Sequence, residues 1–104
     1  MSVTSEATTA WKGSLFEGSG EVTFTSSGIG TFDVNWKARS EGVANTTNPE
    51  EMLAAAHSSC FSMALSLALT QAGMPPERIQ TTAAVTFEAG KRVALVGGGR
   101  DIED

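Results

Sequence analysis

The chain has 104 residues, with 12 acidic against 7 basic side chains and a formal net charge of −5. That balance excludes nucleic acid and anionic membrane as expected partners, because both select clustered lysine and arginine and the only tight basic pair is Lys91-Arg92. The length suits one small domain, and 40% hydrophobic content with a near-zero mean hydropathy suits a globular chain.

Residues 1–9 are polar and are expected to fray. They lack the basic segment and apolar run of a signal peptide. A single cysteine cannot form an intramolecular disulfide, so a reducing compartment and a cytoplasmic location are expected. From Trp11 onward the pattern has period two. "AWKGSLFEG", "GEVTFTSSG" and "TFDVNWKAR" read as a three-stranded antiparallel meander, with Val22, Phe24, Phe32, Val34, Trp36 and Ala38 on one face. Lys37 and Arg39 then fall at the end of the third strand.

A helix follows with well-marked boundaries. Asn48 is a good N-cap, Pro49 fits the first helical position, and Glu51 stands three residues after the cap. Gly73 supplies the stop, and Pro75-Pro76 prevent continuation. About 24 residues of helix span roughly 36 Å. No charged side chain occurs between Glu51 and Glu77, and the helix is apolar nearly all round apart from a line at Ser58, Ser62 and Ser66. A membrane-spanning reading fits the length, but His57, the serines, Thr70 and Gln71 need partners in lipid and weigh against it. A helix of this kind must be covered on every side. One small sheet covers only one side, so a two-fold homodimer is expected.

"RIQTTAAVTFEA" reads as a fourth strand, with Ile79, Thr81, Ala83, Val85 and Phe87 on one face. The fold class is α+β, with an antiparallel meander, a long buried central helix and a further strand. The tail "GKRVALVGGGRDIED" alternates poorly. Its "VALVGGG" run resembles the opening of a dinucleotide site but lacks the following helix that would hold pyrophosphate, and no cofactor is expected.

Cys60 and His57 are the chain's one cysteine and one histidine. On spacing alone Cys60 reads first as a small packed hydrophobe, because a mid-helix thiol gains little from the helix dipole. A reactive reading needs an external cation, and Lys37 and Arg39 are the upstream candidates. His57, three residues before Cys60, would make the pair a nucleophile and base for acyl transfer, although a core histidine is the commoner role. One histidine, one cysteine and scattered carboxylates do not close a zinc shell. Glu50 and Glu51 are explained as residues that complement the helix N-terminus.

"NPEEMLAAAHSSCFSMALSLALTQAG", with "AWKGSLFEGSGEV" and "WKARSEG" before it, closely resembles the OsmC/Ohr family of thiol hydroperoxide reductases, in its osmotically inducible OsmC branch. The resemblance covers residues 10 to about 89. It implies that Cys60 is the peroxidatic cysteine, that Arg39 of "ARSEG" is the activating arginine, and that Glu50 is the glutamate following the helix-opening proline. It further implies an intertwined homodimer with active sites at the subunit interface, an organic hydroperoxide as substrate and an external thiol as reductant. A guanidinium fixed by a carboxylate beside Cys60 suits thiolate chemistry, and Met52, Phe61 and Met63 nearby suit an alkyl peroxide. The expected organisation is a flexible N-terminus (1–9), an OsmC-like domain (10–89) and a divergent tail (90–104).

Relative to the family, this sequence has no second cysteine in a "CPVS"-like stretch. The tail is expected to be a truncated or frame-shifted end, and a sulfenate at Cys60 is expected to depend on an external thiol, with weaker turnover. A non-catalytic binding module with the same fold is the alternative from another functional class.

Overall fold

The computed structural model describes residues 1–88 and 90, together with the backbone of residues 92–103. Lys91 of the basic pair and the side chains of the "VALVGGG" run lie outside the described residues. The chain divides into two compact units, Met1–Asn48 and Pro49–Asp104.

The first unit is the meander. Strands β1 (Thr8–Lys12), β2 (Ser19–Thr23) and β3 (Thr31–Val34) form an antiparallel sheet in that order. Their register sets Ala10 opposite Glu21 and Val22 opposite Phe32. The β1–β2 connection closes on a Gly18 N–H donated to the Ser14 carbonyl at 2.8 Å. Gly20 passes so close beneath Trp11 that a β-carbon there would lie 2.7 Å from the indole ring. β1 begins at Thr8, ahead of the boundary placed at residue 10. The chain before it is tied to the β2–β3 loop, where Ser26 N–H and Thr25 Oγ1 both donate to the Glu6 carbonyl, at 3.1 and 2.8 Å.

The expected third strand stops early. Asn35 has an extended backbone, and its Oδ1 accepts from the Ala38 N–H at 2.8 Å, so the chain turns into helix α1 (Trp36–Ser40). Phe32, Val34, Trp36 and Ala38 satisfy a period of two, but the N-cap at Asn35 overrides the alternation. Val34 and Ala38 are buried, Trp36 is half-buried with its ring edge-on to Phe16 at 5.4 Å, and Phe32 is exposed. Phe32 meets Phe24 edge-on at 5.7 Å.

The second unit opens with helix α2 (Pro49–Gln71). Proline stands at its first position, and Glu50 and Glu51 occupy its first turn, as the sequence reading expects. At the other end Gly73 adopts φ +81°. The Gly73 N–H donates to the Thr70 carbonyl at 3.0 Å and the Met74 N–H to the Leu69 carbonyl at 2.8 Å. These two bonds form a Schellman stop, which needs a left-handed residue and therefore favours glycine.

Strand β4 (Arg78–Glu88) alternates as its sequence predicts, with Ile79, Thr81, Ala83, Val85 and Phe87 half-buried and the intervening side chains exposed. It packs along α2. The half-buried strip of α2 runs through Ala54, Ser58, Ser62, Leu65 and Leu69, the i, i+4, i+7 spacing of one helical face. A second antiparallel partner, β5 (Arg92–Glu103), pairs with β4 along its whole length. This strand is one more than the sequence reading contains. Ala83 pairs with Gly98 and Ala84 with Val96, so Gly97 is left over as a bulge. A bulge shifts the side-chain alternation by one residue, which is why three glycines conceal a strand from a periodicity argument.

The central helix is not enclosed by its own chain. Among the described residues, the buried apolar side chains are Val22, Val34 and Ala38, all in the first unit. On α2 only Glu50 is buried, while Leu53, Phe61, Met63 and Leu67 are exposed. By length and composition alone α2 could cross a membrane. The hydroxyls of Ser58, Ser59 and Thr70 donate back to the helix carbonyls of Ala55, Ala56 and Ser66, which weakens them as an argument against a span. The packing of β4 along one strip of the helix is the arrangement of a core helix that has one side filled.

Candidate functional site

Two elements carry the three residues singled out by sequence. Arg39 lies in the last turn of α1, half-buried, in the first unit. Glu50 and Cys60 both lie on α2, in the second.

Glu50 is 5% exposed, a depth at which a carboxylate needs charge or hydrogen-bond partners. Its position in the first helical turn supplies part of that need, through the free N–H groups and the positive end of the helix dipole. Cys60 is a free, exposed thiol near the middle of the same helix. Ten residues separate the two, which at the rise of an α-helix is roughly 15 Å along the axis. Within one chain, therefore, Glu50 and Cys60 do not meet.

The orientation of Cys60 follows from helical geometry. Ser62 faces β4 and donates its hydroxyl to Thr81 Oγ1 at 2.8 Å. Cys60, two residues earlier, is turned by roughly 200°, onto the side that β4 leaves uncovered. Leu53 and Leu67, seven residues to either side, share that side and are 53% and 59% exposed. The thiol thus sits at the centre of an apolar seam, where alkyl surface would leave water favourably.

His57 is exposed, with its ring tilted against Phe61 at 6.3 Å. That contact is the i, i+4 pairing of one helix face and gives the imidazole a packing role. Among the described residues no group of three or more histidine, cysteine or carboxylate side chains could hold a metal ion.

Sequence reasoning named Cys60, Arg39 and Glu50. It also placed Ser62 in a polar line and Thr81 on the inward face of its strand, without joining them. The signal was available: each carries a hydroxyl on a mostly apolar or small surface, and the two surfaces face one another.

Comparison with known proteins adds the following. Residues 41–103 match the family described as OsmC-like protein. The chain is 40% identical over 88 residues to the protein named peroxiredoxin OsmC of Escherichia coli strain K12, and equally to its namesake in Shigella flexneri. Each alignment takes in 85% of this chain and 61% of the relative, so the chain spans about three-fifths of the length of these curated relatives.

Proposed function

The chain belongs to the OsmC-like family, and on that premise we propose that it is a thiol-dependent peroxidase whose reacting group is Cys60 and whose substrates are organic hydroperoxides. The observation that carries the reading is the exposed free thiol of Cys60, inside the family-matched span and at the centre of an apolar seam.

In the proposed reaction the Cys60 thiolate attacks one oxygen of the O–O bond. An S–O bond forms, the O–O bond breaks, and the alkoxide leaves and takes up a proton as the alcohol. Sulfur is oxidised to sulfenic acid and the peroxide is reduced. An external thiol then displaces water from the sulfenic acid, and a second thiol releases Cys60 and leaves an external disulfide. Arg39 supplies positive charge to the attacking sulfur and the departing oxygen, and Glu50 holds the guanidinium fork in place.

The roughly 15 Å between Glu50 and Cys60 along one helix supports a site shared by two copies. Two α2 helices packed antiparallel about a two-fold axis near Ala55 would bring Glu50 of one copy level with Cys60 of the other. The same packing would cover the seam at Leu53. The proposal sets this dimer in the cytoplasm, in a response to peroxide stress.

Mixing the protein with an equimolar amount of cumene hydroperoxide tests the reading. Cys60 should be consumed faster than by hydrogen peroxide and should leave a sulfenic acid that dimedone traps. Cys60→Ser should abolish the reaction. Arg39→Ala should slow it by about 5- to 150-fold, equivalent to roughly 1–3 kcal/mol of charge-assisted hydrogen bonding. A thiol that shows no preference for the alkyl peroxide would leave the chain a non-catalytic member of its family.

A further inference from the structure

Helix α2 raises a problem that its own composition does not solve. It is apolar on nearly all sides, so its hydrophobic pattern selects no face for β4. Turning the helix by one position would set Phe61 or Met63 against the strand in place of Ser62. Either is as apolar as the present strip. Yet the structure has one arrangement, with Ser62 inward and Cys60 outward.

We propose that the hydrogen bond from Ser62 Oγ to Thr81 Oγ1 sets the rotation of α2 about its own axis, making Ser62 and Thr81 positioning residues for Cys60. The bond is 2.8 Å long, part-buried, and spans 19 residues of sequence between helix and strand. Its neighbour Ser58 in the polar line does something different: Ser58 Oγ donates to its own helix at Ala55, 3.2 Å away. Ser62 is the member that reaches across.

The physical case rests on asymmetry of cost. Turned away, Ser62 Oγ falls back on its own helix carbonyls as Ser58 Oγ does, whereas Thr81 Oγ1 loses its partner on the helix. A polar pair that bonds across an interface of mostly small and apolar side chains therefore acts on register more than on total stability, as a buried polar residue does in a coiled coil. The consequence for the thiol is direct. At about 100° per residue, a one-position turn carries Cys60 from the side opposite β4 round toward the flank of the strand. Leu53 and Leu67 turn with it, so the whole seam leaves the uncovered side.

The inference rests on the peroxidase reading for the importance of Cys60, but not for its test. In the full-length chain under native conditions, the rate of alkylation of Cys60 by iodoacetamide reports how the thiol is presented. Ser62→Ala and Thr81→Val should each slow alkylation, by up to about threefold, the largest population shift expected when one ordinary hydrogen bond no longer favours the outward rotation. The double variant should be no slower than either single one. Ser62→Thr keeps the hydroxyl and should label as the wild type does. Mere loosening of the fold moves labelling the opposite way, because an opened helix exposes its thiol. Should Ser62→Ala fail to fold, Thr81→Val preserves shape and β-branching and carries the test alone. Labelling as fast as wild type, or faster, in folded Thr81→Val overturns the proposal. A Cys60 that alkylates readily but ignores cumene hydroperoxide overturns the peroxidase reading and leaves this one standing.

Discussion

In the Met1–Asn48 unit the buried apolar side chains are short ones, Val22, Val34 and Ala38, set into a small sheet and a helix of little more than one turn. In the Pro49–Asp104 unit the larger apolar side chains of α2, from Leu53 to Leu67, are exposed, and the residue most deeply placed on that helix is a carboxylate, Glu50. The first unit closes its own polar groups locally, through the Asn35 cap, the Ser14–Gly18 turn and the ties between Glu6 and the Thr25–Ser26 loop. The second has a regular frame, a stopped helix on a two-stranded ladder, but leaves one whole side of the helix without cover. The contrast teaches that apolar content and self-sufficiency are separate properties. The more apolar unit is the one whose helix is left exposed, and the proposed reacting thiol lies on that exposed side.

The largest expected effect tests that contrast directly. Leu53 is half-exposed and close to the proposed two-fold axis. If solvent is its true environment, Leu53→Asp should change stability by no more than about 0.5 kcal/mol, as surface substitutions do. If a second copy covers it, the change is felt once in each subunit. Fully burying a leucine is worth about 1.5–3 kcal/mol and Leu53 has about half its surface left to bury, so a symmetric pair loses roughly 1.5–3 kcal/mol and the dimer weakens by about 10- to 150-fold. We expect a dimer by sedimentation at micromolar concentration, with a melting temperature that rises with concentration, and a monomer after Leu53→Asp. A wild-type monomer with a concentration-independent melt would erase the functional half of the comparison.

Next in size is the first unit's own core. Val34→Ala removes two methyl-sized groups from a buried position and should cost about 2 kcal/mol, read from the urea midpoint. This loss should leave the monomer–dimer equilibrium where it was. A shift in dimerisation comparable to that of Leu53→Asp would mean that the two units do not divide the labour as described.

Much of this division was legible in the sequence, for reasons that can be located. Pro49 and Gly73 bound α2 because one is pre-formed for a helix start and the other accepts the left-handed conformation that ends it. The alternation from Ile79 to Phe87 came through intact, since β4 has one face against α2 and its partner strand at its edge. Two elements did not come through. α1 was hidden because Phe32, Val34, Trp36 and Ala38 satisfy a strand period up to the point where Asn35 caps a helix. β5 was hidden because Gly97 bulges out of the ladder and shifts the alternation behind it. For the site, Cys60 announces itself as the only thiol, but nothing local marks Arg39. Its proposed role depends on a second element and, by the proposal, on a second copy, and no spacing rule within one chain encodes either.

The smallest expected effect concerns the cap of α1 in the first unit. Asn35→Ala removes the acceptor for the Ala38 N–H, the side-chain cap of α1. Loss of an N-cap costs about 1 kcal/mol. In a five-residue helix that loss weighs heavily, because α1 has too few hydrogen bonds of its own to hold its first turn. Asn35→Asp keeps an oxygen at the same distance along the side chain and should preserve the helix. Since Arg39 occupies the last turn of α1, the proposed mechanism adds a kinetic signature to this modest change. The uncapped variant should react more slowly with cumene hydroperoxide, and in parallel with iodoacetamide because less thiolate is present, while its dimerisation stays at the wild-type level, and the aspartate variant should react normally. Stopped-flow thiol consumption, measured beside urea unfolding, separates the two effects. Equal peroxide rates in both variants, despite a lower unfolding midpoint for the alanine one, would detach Arg39 from the reaction and leave α1 a structural element of the first unit alone.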